Sequence, residues 1–325
     1  MVRTQRDVSG YDLIGDIHGH ATELKRLLSE LGYQRERGVW RHPSRCAVFL
    51  GDLIDRGPQQ REVIRVVRPM VDAGSALICL GNHELNAVGY ATRSKDQSGY
   101  LRQHYAKNYL QHDAFLSEYL PHSEEYQELI KWFCDQPLWL ELELTGGQRA
   151  RVIHACWDQR AIDVVSPHLQ PDDEGRLTLG ERFDHELFTR GTELFESIEL
   201  LLKGPEVRLP PGIVYTDKGG IKRKYTRVQW WRDAATWGEA AILGGETVDG
   251  LDFDRPIGEG ELSPPYRDEI PVFIGHYWMN GRLQTLTERV ACLDWSVAKG
   301  GRLVAYRWDG EQTLSDSKFI SVWSV

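Results

Sequence analysis

The chain has 325 residues, 41% of them apolar and 27% charged, a globular composition that excludes a disordered polymer, a collagen-like fibre and a small disulfide-stapled module. Its 39 Lys and Arg face 48 Asp and Glu, and a net charge of −9 makes it a poor general binder of polyanions, so no dedicated duplex nucleic-acid binding is expected. No apolar run approaches the ~18 residues of a membrane helix, so no membrane partner is expected either.

The first ninety residues read as an alternating α/β unit. Tyr11–Gly15 is a short strand, and Thr22–Leu31 places Leu24, Leu27, Leu28 and Leu31 at helical spacing. Cys46–Leu50 is a buried strand, Arg61–Val71 carries Val63, Val66, Val67 and Met70 on one helical face, and Ala76–Leu80 is a third strand. Each strand ends at a Gly-polar turn, and helices separate them, so right-handed crossovers and parallel strands are expected. Ligands in such sheets gather beyond the carboxyl ends of the strands, where all three turns would meet. A helical segment is expected at about 97–134, followed by a strand pair, Leu138–Leu144 and Ala150–His154, around Thr145-Gly146-Gly147. A long insertion at about 158–265, rich in Gly, Pro and charge, is expected to overhang the site. Pro271–Gly275, Arg289–Leu293 and Leu303–Trp308 return to strand patterning and are expected to build a second sheet with antiparallel pairs. The reading is one domain over 1–325. The five cysteines, 46, 79, 134, 156 and 292, are odd in number and lack a CxxC, and Met1–Gly10 is polar, without a signal-peptide core. Reduced thiols and a cytoplasmic location fit this pattern.

The chemistry lies in the turns. Gly15-Asp16-Ile17-His18-Gly19 follows the first strand, Gly51-Asp52-Leu53-Ile54-Asp55-Arg56-Gly57 the second, and Gly81-Asn82-His83-Glu84 the third. Val152-Ile153-His154-Ala155 and Ile274-Gly275-His276-Tyr277 come later. Any one of these alone reads as a capping residue, a turn or a packed histidine. Five in order, all at expected strand ends, do not. Carboxylate, amide and imidazole donors together suit a two-metal site of manganese, iron or zinc type.

GDIHG, GDLIDRG and GNHE, in that order, resemble the calcineurin-like metallophosphoesterases. The form is that of the phosphoprotein-phosphatase branch, which holds Ser/Thr phosphatases, symmetrical diadenosine tetraphosphatases and a polynucleotide phosphatase domain. The resemblance is strongest over 11–90 and returns around Gln136–His154, at Gly275-His276 and over Leu293–Trp308. It implies a four-layer α-β-β-α sandwich of two packed mixed sheets flanked by helices. It implies two divalent ions, manganese first, with iron, zinc, nickel or cobalt as alternatives. It implies that Asp16, His18 and His276 ligate one metal, that Asp52 bridges both, and that Asn82 and His154 ligate the second. It implies His83 as general acid with Asp55 as its partner, and Arg56 as a phosphate clamp. His83 follows Asn82 directly, so its side chain is expected to point away from the metals, towards the leaving group.

The implied activity is a binuclear-metal-dependent phosphoesterase acting on phosphomonoesters, phosphoprotein or small, by metal-hydroxide in-line attack. The alternative is a dinucleoside polyphosphate or nucleic-acid-end phosphohydrolase, and the minor alternative a non-catalytic binding module. Substrates would be phosphorylated small molecules, nucleotides or phosphopeptides. A second phosphate-binding arginine is sought in the basic run Lys218, Lys222, Arg223, Lys224 and Arg227, with Arg223 and Arg227 as candidates. Two departures from the family pattern, Cys156-Trp157 after His154 and Asp294-Trp295-Ser296, are expected to bring bulky aromatics to the metal rim. Trp230-Trp231 is read as packing. His20 is read as a cap neighbour, and His104, His112, His122 and His185 as surface or packing residues. No GxxxxGK[ST] loop is present, so no fused kinase is expected.

Overall fold

The computed structural model describes residues 3–5, 7–209, 214–216, 222–242, 252, 254–258, 262 and 265–325. Lys218 and parts of the expected insertion lie outside them.

Two sheets make the frame. The first is built on β2 (Gly10–Ile14), β3 (Arg45–Phe49) and β4 (Ala76–Ile78), paired in parallel with Ile14 opposite Phe49 and Phe49 opposite Ile78. The second runs β1 (Arg3–Gln5), β5 (Trp139–Glu143), β6 (Arg149–Ile153), β7 (Val272–Ile274) and β8 (Val290–Cys292). Here β5 and β6 form the expected antiparallel pair, while β7 lies parallel to both β6 and β8. One late strand goes elsewhere. After β8 the chain crosses to the first sheet, where β9 (Asp294–Trp295) and β10 (Arg302–Trp308) join β2, and β11 (Phe319–Trp323) covers β10. The crossing is tight: a Cβ on Gly15 would stand 2.0 Å from the Leu293 carbonyl oxygen.

The period-two alternation of the strands sorts their side chains into two cores. Leu13, Val48 and Leu77 of the first sheet meet Leu140, Val152 and Phe273 of the second between the sheets. Ile14, Phe49 and Ile78 face outwards, in one apolar cluster with Leu24, Leu27 and Leu28 of α1 (Ala21–Glu30) and Val63 and Val67 of α2 (Gln60–Asp72). Ile153, Val272 and Ile274 share that cluster with Ile162 of α6 (Gln159–Val165) and Ile198 and Leu201 of α7 (Glu193–Lys203). The result is helix, sheet, sheet, helix.

The segment expected to be helical holds two helices, α4 (Ala106–Glu118) and α5 (Glu124–Cys134). A further helix, α3 (Asn82–Ala91), starts within the third motif, where a turn alone is expected. Nearly every residue of α3 is buried, so it shows no apolar stripe by which sequence reading would find it.

Candidate metal centre

All five motifs emerge at the carboxyl ends of their strands. The backbone there is held in unusual conformations: φ is 45° at His18, 48° at Asp52, 70° at Asp55, Arg56 and His276, and 54° at Trp278. Non-glycine residues in this region cost of order 1–3 kcal/mol each, and such strain collects where function requires it. Two glycines make room for carboxylates. A Cβ on Gly275 would fall 2.0 Å from Asp16 Oδ1, and one on Gly81 2.2 Å from Asp52 Oδ1.

Asp52 sits at the centre. Its Oδ2 lies 3.5 Å from His18 Nε2, 3.3 Å from His154 Nε2 and 3.9 Å from His83 Nε2, while its Oδ1 accepts the His83 backbone N–H at 3.0 Å. Two histidines have their tautomer set by a carbonyl, which can only accept. His18 Nδ1–H donates to the Ile54 carbonyl at 2.9 Å and His154 Nδ1–H to the Leu50 carbonyl at 2.8 Å. Each Nε2 then faces Asp52, the arrangement in which a backbone carbonyl orients a metal-ligating imidazole. His18 Nε2, Asn82 Oδ1, His154 Nε2 and His276 Nε2 are all buried without a hydrogen-bond partner. Buried polar atoms are normally paired, so four orphans in one place fit divalent cations. Around Asp52, His18, Asp52 and His83 offer one compact donor group and Asp52, His154 and His276 another.

The electrostatics agree. Burial and the neighbouring Asp294 push the Asp16 carboxyl well above its usual range, the signature of acidic groups crowded together in a dry site. Burial would also raise Asp52, but the His154 and His83 imidazoles outweigh it and hold it well below the carboxylate range. Burial lowers His18 to about 3, and burial with the Arg227 charge lowers His276, so both are neutral ligand-type imidazoles. His154 is disfavoured as a cation by burial, yet the Asp52 charge draws it up to about 10.

Two expectations change. His276 does not group with Asp16 and His18. Only its backbone N–H reaches Asp16, at 3.1 Å to Oδ2, and its ring lies 5.3 Å from that of His154. The register explains this: Phe273 is opposite Val152, so His276 and His154 leave neighbouring parallel strands side by side. His83 does not point away from the cluster either. Its ring is 4.8 Å from His18. Side chains in the first turn of a helix lean towards its N-terminus, and the His83 backbone N–H is tied to Asp52 there, so the His83 ring faces the cluster.

Asp55 accepts from His83 Nδ1–H at 2.5 Å through Oδ2. Its other oxygen accepts from His112 Nδ1–H at 2.6 Å, a contact supplied by α4. Burial would raise Asp55, but His112 and His83 outweigh it and keep it well below the usual range. His112 is therefore neither a surface residue nor mere packing, and its sequence context gives no sign of this partner. Gln60 fixes the same turn, accepting the Asp55 backbone N–H at 2.8 Å and donating to the Gly57 carbonyl at 2.6 Å. Arg56 is exposed, with Nη2 3.5 Å from His83 Nε2.

Glu84 was legible as part of the motif but not in its role. It is fully buried, and its two oxygens accept the backbone N–H groups of Asp52 (2.8 Å), Gly81 (3.0 Å), Leu53 (2.8 Å) and Ile54 (3.4 Å). It holds the Asp52 loop to the start of α3.

The aromatic beside the cluster is neither Trp157 nor Trp295. The Trp295 ring packs between the sheets, its Nε1–H on the Cys292 carbonyl, and Trp157 lies buried beneath the Arg151 guanidinium. Trp278 takes that place, 6.4 Å from His18 between ring centres, with Arg56 stacked on it at 4.3 Å. In the insertion, Arg227 Nη1 donates to the His276 carbonyl at 3.3 Å, whereas Arg223 is exposed on the Lys222–Arg223 strand. Trp230 and Trp231 are buried, and Trp230 Nε1–H contacts the Ala155 carbonyl and the Tyr277 hydroxyl. No helix among the described residues is long and apolar enough to cross a membrane.

Comparison with known proteins places these features. A bis(5'-nucleosyl)-tetraphosphatase PrpE [asymmetrical] of Halalkalibacterium halodurans is 49% identical over 74 residues, 22% of this chain and 30% of the relative. A symmetrical bis(5'-nucleosyl)-tetraphosphatase of Hamiltonella defensa is 29% identical over 164 residues, 49% of this chain and 50% of the relative. The matched stretches thus span at most half of either relative's own length. Among solved structures, a cold-active protein-tyrosine phosphatase of a psychrophilic Shewanella aligns over 100% of this chain and 82% of its own, with TM-score 0.47 and 17% identity. The model of the calcineurin-like phosphoesterases matches residues 11–186. That match covers more than half of the chain and all but one of the motifs, and the chain belongs to the calcineurin-like phosphoesterase family.

Proposed function

We propose that the chain is a phosphoester hydrolase working with two divalent cations, manganese first among them, at the Asp52 cluster. The observation that supports this most is the set of four buried, unpaired donor atoms, on His18, Asn82, His154 and His276, three of which, those of the histidines, group around the Asp52 carboxylate. Asp16 and His18 would hold one ion, Asn82, His154 and His276 the other, with Asp52 shared. Bound there, the cations supply Lewis acidity and water that ionises near neutral pH. Arg56 presents a planar fork to phosphoryl oxygens, which suits it to orient them better than a lysine would. His83, its Nδ1–H held by Asp55, offers Nε2 to the departing oxygen and gives it a proton when the ring is charged.

An intact acid pair serves esters whose leaving group needs a proton, so phosphomonoesters of proteins or small molecules are the first substrate class. Dinucleoside polyphosphates are the second, favoured by the names of the two relatives. A panel with manganese decides: p-nitrophenyl phosphate, a phosphopeptide, diadenosine tetraphosphate and 3′-phosphorylated RNA. Turnover led by the monoesters supports the first class, and turnover led by the tetraphosphate the second. No turnover of any by metal-loaded protein rejects the hydrolase.

A further inference from the structure

His154 and His276 leave neighbouring parallel strands, and the Gly275 N–H still reaches the His154 carbonyl, at 2.8 Å. Beyond that bond the two chains part. The Ala155 and Cys156 N–H groups both turn to the Leu201 carbonyl of α7, each at 3.1 Å. The Tyr277 N–H turns back to the Gly275 carbonyl at 2.9 Å. This closes a three-residue turn around His276, whose φ is 70°, a rare and strained form that its surroundings must hold.

The insertion holds it. The buried Trp230 shares its one Nε1–H between two acceptors, the Tyr277 hydroxyl at 2.9 Å and the Ala155 carbonyl at 3.1 Å. A single N–H thus spans the residues that follow the two histidines. Tyr277 is gripped on other sides as well. Trp231 meets its ring edge to face, with centroids 5.1 Å apart. Gly204, just after α7, lies against its hydroxyl so closely that a Cβ there would stand 2.0 Å from Oη. Arg227 Nη1 reaches the His276 carbonyl at 3.3 Å. The mount is itself anchored. The strand Tyr225–Val228 pairs with Glu206–Arg208, the Val228 N–H donates to the Pro205 carbonyl at 3.1 Å, and the Trp230 carbonyl accepts the Tyr266 N–H at 3.0 Å. Among the described residues, no hydrogen bond from 227–231 reaches Asp16, His18 or His83.

We propose that Trp230 is a positioning residue for one of the two cations. Its N–H fixes the spacing between the His154 and His276 turns, so the cation these two imidazoles hold depends on it, and the cation at Asp16 and His18 does not. The inference rests on the two-cation reading above and gives the insertion a part in the metal centre. Partners that orient a metal's ligands typically set its affinity by 10–100-fold, and Trp230 acts on the turns rather than on the rings themselves, so the lower end, about ten-fold, is expected.

Isothermal titration of the metal-free, full-length chain with manganese tests this, beside urea unfolding of the same proteins. Wild-type protein is expected to take up two ions. Trp230→Phe keeps a ring in the core and removes the N–H. It should weaken one ion about ten-fold and leave the other within about two-fold. Tyr277→Phe should weaken the same ion by less, because the Ala155 carbonyl still receives the N–H. The double variant should be little worse than Trp230→Phe, since both changes act on one bond. In a His276→Ala background, Trp230→Phe should cost the remaining ion nothing further. Equal weakening of both ions, or of neither, overturns the positioning role, and with a lower urea midpoint it leaves Trp230 a packing residue. Should Trp230→Phe not fold, Tyr277→Phe decides by the same criterion. A wild-type chain that takes up no manganese rejects the two-cation reading and the positioning role together. Two ions in wild type beside two unchanged affinities in the variant reject the role of Trp230 alone.

Discussion

Glu84→Gln changes one atom's chemistry and almost no volume, yet the structure predicts a large cost. Four backbone N–H groups converge on the carboxylate, two on each oxygen: Asp52 and Gly81 on Oε2, Leu53 and Ile54 on Oε1. Burial and the Asp52 charge push this carboxyl up, while the donors favour its charged form. A glutamine keeps one acceptor oxygen and turns an NH2 towards the other pair. Two buried N–H groups then lose their acceptor, at ~1–3 kcal/mol each, or about 2–6 kcal/mol together. The Ile54 bond is the longest, at 3.4 Å, so the amide will orient to strand Leu53 and Ile54 and the loss will fall in the lower half of that range. Urea unfolding of both proteins, with equal slopes, reads the difference. Metal content should fall too, because the loop that presents Asp52 is no longer held. A loss below about 0.5 kcal/mol with unchanged metal content would refute the positioning role of Glu84.

Arg56→Ala should weaken substrate and inorganic phosphate binding while metal content stays near wild type. If the variant instead loses its metals, Arg56 supports the turn and is no clamp. His83→Asn should lose ~10²–10⁴-fold in rate, most for phosphoserine and least for p-nitrophenyl phosphate, whose leaving group needs little protonation. Asp55→Asn should show the same dependence, and the double variant should be little worse than either, since the pair acts as a unit. Equal losses across leaving groups would remove His83 from the acid role. His112→Ala frees Asp55 Oδ1 and should lower kcat about ten-fold, roughly one charge-assisted hydrogen bond, with KM little changed and the leaving-group pattern of Asp55→Asn. A change confined to stability would make His112 a packing residue.

The parts of the site that sequence could show are those local to a motif. Asp16, His18, Asp52, Asn82, His154 and His276 each follow an apolar run that alternates or buries as a strand does, so their position beyond strand ends was readable. What brings His18, His154 and His276 around Asp52 is strand order, and that is tertiary: the parallel pairing of β6 with β7 sets His276 beside His154. His112 was missed because its partner lies 57 residues away and α4 carries no motif. Trp278 carries no motif signal of its own, whereas Trp157 and Trp295 stand at departures from the family pattern, and the strand period turns Trp295 into the core between the sheets. The late strand Arg302–Trp308 has the same patterning whichever sheet it joins, and the crossing after Cys292 decides which. The edge strand Phe319–Trp323 is only half-buried, which blunts its hydrophobic signal.

Asp52 is proposed to organise two metal ions on which catalysis depends. Elemental analysis of the purified chain, run beside a phosphoesterase assay, tests it. Wild-type protein should carry two divalent ions per chain, lose activity on dialysis against EDTA and regain it with manganese. Asp52→Asn should bind fewer ions at both positions, because each loses the same carboxylate. Full activity in protein shown to hold no metal, or an Asp52→Asn variant that retains both ions and wild-type turnover, would contradict the account.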